Sequence, residues 1–184
     1  MKSLHEPELD EAFVSRKEIF KGKILKISVD TIKLPNGREA CRELAKHPGA
    51  VAVIAKTDTD ELILVKQFRY PINSVLYEIP AGKLDPDEAP LACAKRELSE
   101  ETGYTAKNWQ LLGSIVTTPG FSDEVIHIFL ATGLELYQQH PDEDEFVEVE
   151  SFVFAQIKNM IISGEIYDAK TLSAICYYQL LFNN

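Results

Sequence analysis

Three glutamates stand close together late in the stretch GKLDPDEAPLACAKRELSEETGY, which runs from Gly82 to Tyr104: Glu97, and then Glu100 and Glu101 three and four positions on. On a helix that turns about 100° per residue, these spacings put all three carboxylates on one narrow stripe. Such a stripe repels itself unless a cation neutralises it, and an oxygen-only donor set suits a hard divalent ion, magnesium or manganese. An ion held there would lower the pKa of bound water and clamp anionic oxygens. A charge run is most often a solvated helix face, but such a face requires neither glycines nor an arginine at set positions.

The stripe needs a helix to carry it. Asp85 or Asp87 is expected to start that helix as an acidic cap, and Gly103 to stop it in a left-handed conformation. Leu91, Ala94 and Leu98 are expected to form its buried side, and Gly82 to leave room for backbone to approach a ligand or metal. Upstream, residues 1–12 read as a polar, acidic arm. VSRKEIF, KILKISVDTIKL and REACREL read as antiparallel strands, the last two joined by the turn Pro35-Asn36-Gly37. AVAVIAK is a nearly continuous apolar run suited to a central strand, and ELILVKQFRY follows it across the turn at Asp58–Asp60. Leu76 to Pro80 delivers the chain to Ala81. Beyond the helix, WQLLGSIVTTPG and DEVIHIFLATGLEL read as strands around Pro119-Gly120. The acidic loop HPDEDE precedes a strand, FVEVESFVF, and two helices. The pattern is α+β, a mixed sheet with helices on both sides.

At 184 residues with net charge −10, the chain suits a soluble protein with a substantial core, and duplex nucleic acid and anionic membranes are not expected partners. No apolar stretch opens it, so neither a signal peptide nor a membrane span is expected. Cys41, Cys93 and Cys176 are odd in number and widely spaced, which points to reduced core thiols in a cytoplasmic protein. His5, His47, His127 and His140 show no ligand spacing.

The stretch from Gly82 to Tyr104 resembles the Nudix box, G-x5-E-x7-R-E-U-x-E-E-x-G-U with U a bulky apolar residue. Gly82, Glu88, Arg96, Glu97, Leu98, Glu100, Glu101 and Gly103 all match, and only Tyr104 departs, aromatic where an aliphatic is commoner. At average residue usage, such a match recurs by chance roughly once in a million windows. The resemblance implies the family's α/β/α sandwich, here preceded by an N-terminal antiparallel strand region, and hydrolysis of a nucleoside diphosphate linked to another group. It implies Glu97 and Glu101 as main metal ligands, Glu100 as a direct or water-bridged one with a catalytic part, and the Ala81 carbonyl completing the set. Arg96 enters the catalytic group as a bidentate partner orienting a glutamate, and Glu88 as a brace.

Further likenesses narrow the substrate. Pro119 in TTPGFSDE, fifteen residues past the box, is similar to the mark of the ADP-ribose pyrophosphatases, as are REL before HPGAVAV, VKQFRYPI, EIPAGKLD and DEDEFVEV. The resemblance implies cleavage of ADP-ribose or a related ADP-sugar to AMP and a sugar phosphate. It implies a general base on the acidic loop, Glu143 or Glu145, beside Asp142 and Asp144. It also places substrate-contacting arginines at Arg42 and Arg69, with Phe13, Phe20 or Phe121 as stacking surfaces for adenine. A homodimer is implied, with residues 1–47 as arm and dimerising strands and residues 48–184 as the hydrolase domain. The alternatives are a broader nucleoside-diphosphate-sugar pyrophosphatase and a nucleotide sensor without turnover.

Overall fold

The structure is a computed structural model that describes residues 6–137 and 146–182. It divides into two compact units, the first running up to Gly49 and including Val116–Val125, the second holding the rest. A piece of chain from beyond the box therefore folds with the N-terminal strands.

In the first unit, strands β1 (Ala12–Lys21), β2 (Lys26–Lys33) and β3 (Glu39–Lys46) form an antiparallel sheet in sequence order. The expected turn closes β2 onto β3, with the Leu34 N–H donating to the Arg38 carbonyl at 2.8 Å. Arg16 of β1 lies opposite Asp30 of β2 and donates to both its oxygens at 2.7 and 2.6 Å, which holds that buried carboxyl below its usual range. All ten residues of β1 are exposed, Phe13 and Phe20 among them. The loop around Pro119 is joined to β3, since Ala45 N–H donates to the Phe121 carbonyl at 2.7 Å.

The second unit runs β4 (Ala50–Lys56), β5 (Glu61–Arg69), a 3-10 turn (Tyr70–Ile72), β6 (Ser74–Glu78), β7 (Ala81–Lys83), α1 (Pro90–Thr102) and β8 (Tyr104–Val116). Then come β9 (Val125–Leu136), β10 (Val147–Val153), α2 (Phe154–Ser163) and α3 (Ala169–Phe182). The sheet order is β10-β5-β4-β9-β8, with β6 on β5 and β7 on β4. β4 and β9 pair in parallel, whereas β10 with β5, β4 with β5 and β7, and β5 with β6 pair antiparallel, so the sheet is mixed.

The apolar run of β4 is central because both its faces are covered. Ala50, Ala52 and Ile54 pack with Ile157, Ile175 and Tyr178 of α2 and α3. Val51, Val53 and Ala55 pack with Cys93, Ala94 and Leu98 of α1. The alternation of strand side chains thus feeds two cores, and the layers are α/β/α. Full burial of a side chain such as Leu98 contributes about 1.5–3 kcal/mol. Among the described residues, no helix is long and apolar enough to cross a membrane.

Three local expectations need correction. The cap of α1 is Ala89, without a side-chain hydrogen bond, and Pro90 takes the first turn. Proline supplies the helical φ, and the N–H it lacks is one that has no intrahelical partner at a helix start. Leu91 is 39% exposed, so Ala94 and Leu98 share the buried side with Cys93 instead. The strand expected at Leu76–Pro80 lies at Ser74–Glu78, and Ala81–Lys83 is itself a strand paired with β4.

Candidate active site

The box folds as strand, loop and helix. Val51 of β4 is the register partner of Gly82 in β7, and the chain then turns through residues 84–89 into α1. Within that turn the Asp85 N–H donates to Glu88 Oε2 at 3.1 Å, which leaves the Glu88 carboxylate facing α1. Gly103 ends the helix at φ 73°, and its N–H donates to the Ser99 carbonyl. A left-handed residue there is what glycine permits.

Arg96 gathers the site. Its Nε and Nη2 donate to the two oxygens of Glu88 at 3.0 and 2.9 Å, and Nη2 also reaches the Lys83 carbonyl at 3.2 Å. Its Nη1 donates to Glu97 Oε1 at 2.8 Å and to Glu100 Oε2 at 2.9 Å. The hydrogen bonds from Arg96 hold the Glu88 carboxyl down at about 2. The bonds to Glu88, with the charge of Glu97 and the hydrogen bonds to Glu100 and Glu97 adding to them, push the guanidinium further above its ordinary value. Glu88 is thus a brace tying the loop to the helix, and Arg96 orients two glutamates at once.

The remaining carboxylates meet β7. The Glu97 carboxylate fills the place where a Cβ at Gly82 would sit. Glu101 is 2% exposed, and its Oε2 accepts the Ala81 N–H at 3.0 Å. Gly82 therefore makes room for a side chain of α1, a more specific use than the general approach of backbone to ligand. Cys93 is buried behind this group, and burial pushes its thiol up to about 12, which makes it inert.

As to metal, the donors here are all oxygens on one helix with β7 alongside, and that chemistry fits a hard divalent ion. Among the described residues, no three His, Cys, Asp or Glu side chains are grouped so as to hold an ion. Arg96 is instead the cation between Glu97 and Glu100.

Arg69 ends β5 and directs its fork at Glu78 of β6, Nε to Oε1 at 2.8 Å and Nη2 to Oε2 at 2.6 Å. Glu78 is 1% exposed, and Lys170 of α3 donates to the same Oε2. Burial alone would raise the Glu78 carboxyl, but Arg69 and Lys170 outweigh it and hold the group below its usual range. Arg42 in β3 pairs with Glu11 and donates to the Cys41 carbonyl at 3.0 Å. Arg42, Glu11, Pro119 and Phe121 line one cleft of about 430 Å³ in the first unit. Glu143 and Glu145, with Asp142 and Asp144, lie outside the described residues.

Sequence reasoning passed over Glu78, Lys170 and Glu11 as partners. For Glu78 a signal existed, a carboxylate next to an apolar residue and nine positions from Arg69 across a strand turn. Lys170 and Glu11 pair over long separations, and nothing in their neighbourhoods marks them.

Comparison with known proteins adds a family match, two relatives and a solved structure. The NUDIX domain family matches residues 46–173. The chain is 48% identical to an ADP-ribose pyrophosphatase of Bacillus subtilis (strain 168) over 94% of both chains, and 43% identical to a methanol dehydrogenase activator of Bacillus methanolicus over 93% and 94%. It shares its fold with a crystal structure of an ADP compounds hydrolase, with a TM-score of 0.83, 20% identity, and 98% and 96% of the two chains covered.

Proposed function

The chain belongs to the NUDIX domain family, and from that premise we propose that it hydrolyses the pyrophosphate of ADP-ribose and related ADP-sugars. The products from ADP-ribose are AMP and ribose 5-phosphate. The observation that carries the reaction type is the box unit itself, in which one arginine orients Glu97 and Glu100 while Glu101 is pinned to β7. The substrate class is supported by the likeness to the B. subtilis enzyme across nearly the whole chain.

Glu97, Glu101, Glu100 and the Ala81 carbonyl would hold magnesium, with manganese as a substitute, which supplies neutralisation of phosphoryl charge and acidification of water. Water adds to one phosphorus, the bridging P–O bond breaks, and the bridging oxygen leaves with the other phosphate. Glu143 or Glu145 takes the proton from that water, Glu143 being the first candidate. Arg42 and Arg69 bind pyrophosphate oxygens through their forks, and Pro119 shapes the substrate loop. A homodimer is proposed on the exposed β1 with Phe13, Val14, Ile19 and Phe20, and a cytoplasmic location on the free thiols Cys41, Cys93 and Cys176.

The test is a panel of ADP-ribose, ADP-glucose and GDP-mannose with magnesium, read by nucleotide release. Highest kcat/KM on ADP-ribose is expected, and absence of AMP from ADP-ribose refutes the proposal. A broader nucleoside-diphosphate-sugar enzyme would cleave all three alike. A second reading, action on a dehydrogenase partner, is favoured by the likeness to the B. methanolicus protein alone. AMP release without any protein partner separates it from the first.

A further inference from the structure

We propose that the row Lys21, Lys26 and Lys46 in the N-terminal sheet is a binding site for a small phosphate dianion, free or carried as a phosphomonoester. This goes beyond the hydrolase reading and does not depend on it.

The three lysines come from three strands and stand on one rung. Lys21 of β1 is the register partner of Lys26 of β2, and Lys26 is the partner of Lys46 of β3. Residues directly opposite on neighbouring strands share a face, and like charges so placed destabilise a sheet. A bulge in β1 produces the row. Glu18 lies opposite Ser28, so in unshifted register Phe20 would stand opposite Lys26, but the shift between Glu18 and Phe20 puts Lys21 there. Lysines often guard sheet edges, and β1 and β3 are edges here. β2 lies between them, so Lys26 guards no edge.

The row opens on a cavity. All three lysines line a cleft of about 260 Å³ whose walls come from the first unit alone. It shares no residue with the cleft of Arg42 and Pro119. Among the described residues, none of the three lysines is in an ion pair. Arg16 also lines the cleft, but Asp30 neutralises its guanidinium. Glu18 offsets one lysine, which leaves the cleft positive in a chain of net charge −10. Phe20 and Ile27 add apolar wall, beside which charges are screened less than on open surface.

The chemistry of the ligand follows. Ammonium groups are compact point charges on flexible stems, suited to a tetrahedral phosphate, whereas a planar carboxylate is better met by a guanidinium fork. The cleft falls short of the roughly 300–1,000 Å³ of sites for drug-sized ligands, which favours a phosphate or a small ester over a dinucleotide. The acidity of the chain opposes a long polyanion, but a small anion in the cleft lies within a Debye length of about 8 Å of the row.

The experiment is calorimetry on wild type, Lys26→Gln and the triple variant Lys21→Gln, Lys26→Gln, Lys46→Gln, titrated with inorganic phosphate and separately with AMP. A chelator is present, so that no metal bridges an anion to the box, and chloride fixes the ionic strength. Wild type is expected to bind phosphate saturably with a Kd of about 1 mM or tighter. An exposed charge contact is worth up to about fivefold in affinity, so Lys26→Gln should raise Kd about threefold to fivefold and the triple variant more than about tenfold. All three lysines are exposed, and the triple variant should melt no lower than wild type without phosphate, because the like-charge row is gone. Added phosphate should raise the Tm of wild type and leave that of the triple variant unmoved. AMP binding with the same lysine dependence upholds the site for phosphomonoesters, and phosphate binding without AMP upholds it for the free ion. No saturable phosphate binding by wild type, or an unchanged Kd in the triple variant, overturns the proposal. If the triple variant does not fold, Lys26→Gln against wild type decides it. The titrations contain neither metal nor nucleotide sugar, so their failure leaves the hydrolase reading standing, and absence of AMP release from ADP-ribose leaves this site standing.

Discussion

The carboxylate of Glu97 occupies the space in which a side chain at Gly82 would begin, so the first glycine of the box and the first glutamate of its acidic stripe form a single packing unit. The strand β7 and the helix α1 approach this closely only because one of the two positions has no Cβ.

Gly82→Ala is therefore expected to displace Glu97 and disturb its bond to Arg96. An added methyl in a packed site costs about 1–3 kcal/mol, and if that cost falls on the aligned carboxylate the rate drops about 10- to 100-fold. Steady-state kinetics beside a thermal melt measure both effects. A variant as fast as wild type would show that Glu97 has no set position to lose.

Glu97→Gln and Glu101→Gln keep shape and remove charge. Each is expected to lower kcat by about two orders of magnitude in excess magnesium, the scale of losing a major electrostatic contribution to the transition state. Treatment with a chelator should abolish AMP release from wild type, and added magnesium should restore it. Near wild-type rates in both variants would remove the metal reading altogether.

Arg96→Met tests the hub through pH. Glu88 has a folded pKa of about 2 against an ordinary 4.5, so its bond to Arg96 contributes stability that is whole above about 4.5. That contribution is lost as pH falls through about 2. The Tm gap between wild type and Arg96→Met should thus be widest near neutral pH and narrow steadily between these limits. A gap that stays constant with pH would mean that Arg96 acts by packing alone.

Glu143→Gln and Glu145→Gln address the acidic loop. If one of them takes the proton from attacking water, its kcat falls about 10²- to 10⁴-fold with little change in KM. Unchanged kcat in both eliminates the loop as the source of the base.

Much of the architecture was legible because it follows from local periodicity. The apolar run of AVAVIAK and the alternation in FVEVESFVF read directly as strands, and the stripe of α1 follows from spacings of three and four. Expectations slipped where two local signals competed. Asp85 and Asp87 were plausible caps by type, but Pro90 sets the helix start with Ala89 before it, and Leu91 lies on the exposed side of α1. The likeness that marked Arg69 for substrate could not reveal that its fork rests on Glu78.

The order of residues alone determined the helix, its acidic stripe, the stop at Gly103 and the family, since each depends on spacing within one short segment. Tertiary structure decided what those residues touch: Glu97 against Gly82, Arg96 between Glu88, Glu97 and Glu100, and Lys170 beside Arg69 on one buried carboxylate. The reason is geometric. Neighbours on a helix are set by its pitch, whereas a contact across 92 residues, such as that of Glu78 with Lys170, exists only once sheet and helices have packed.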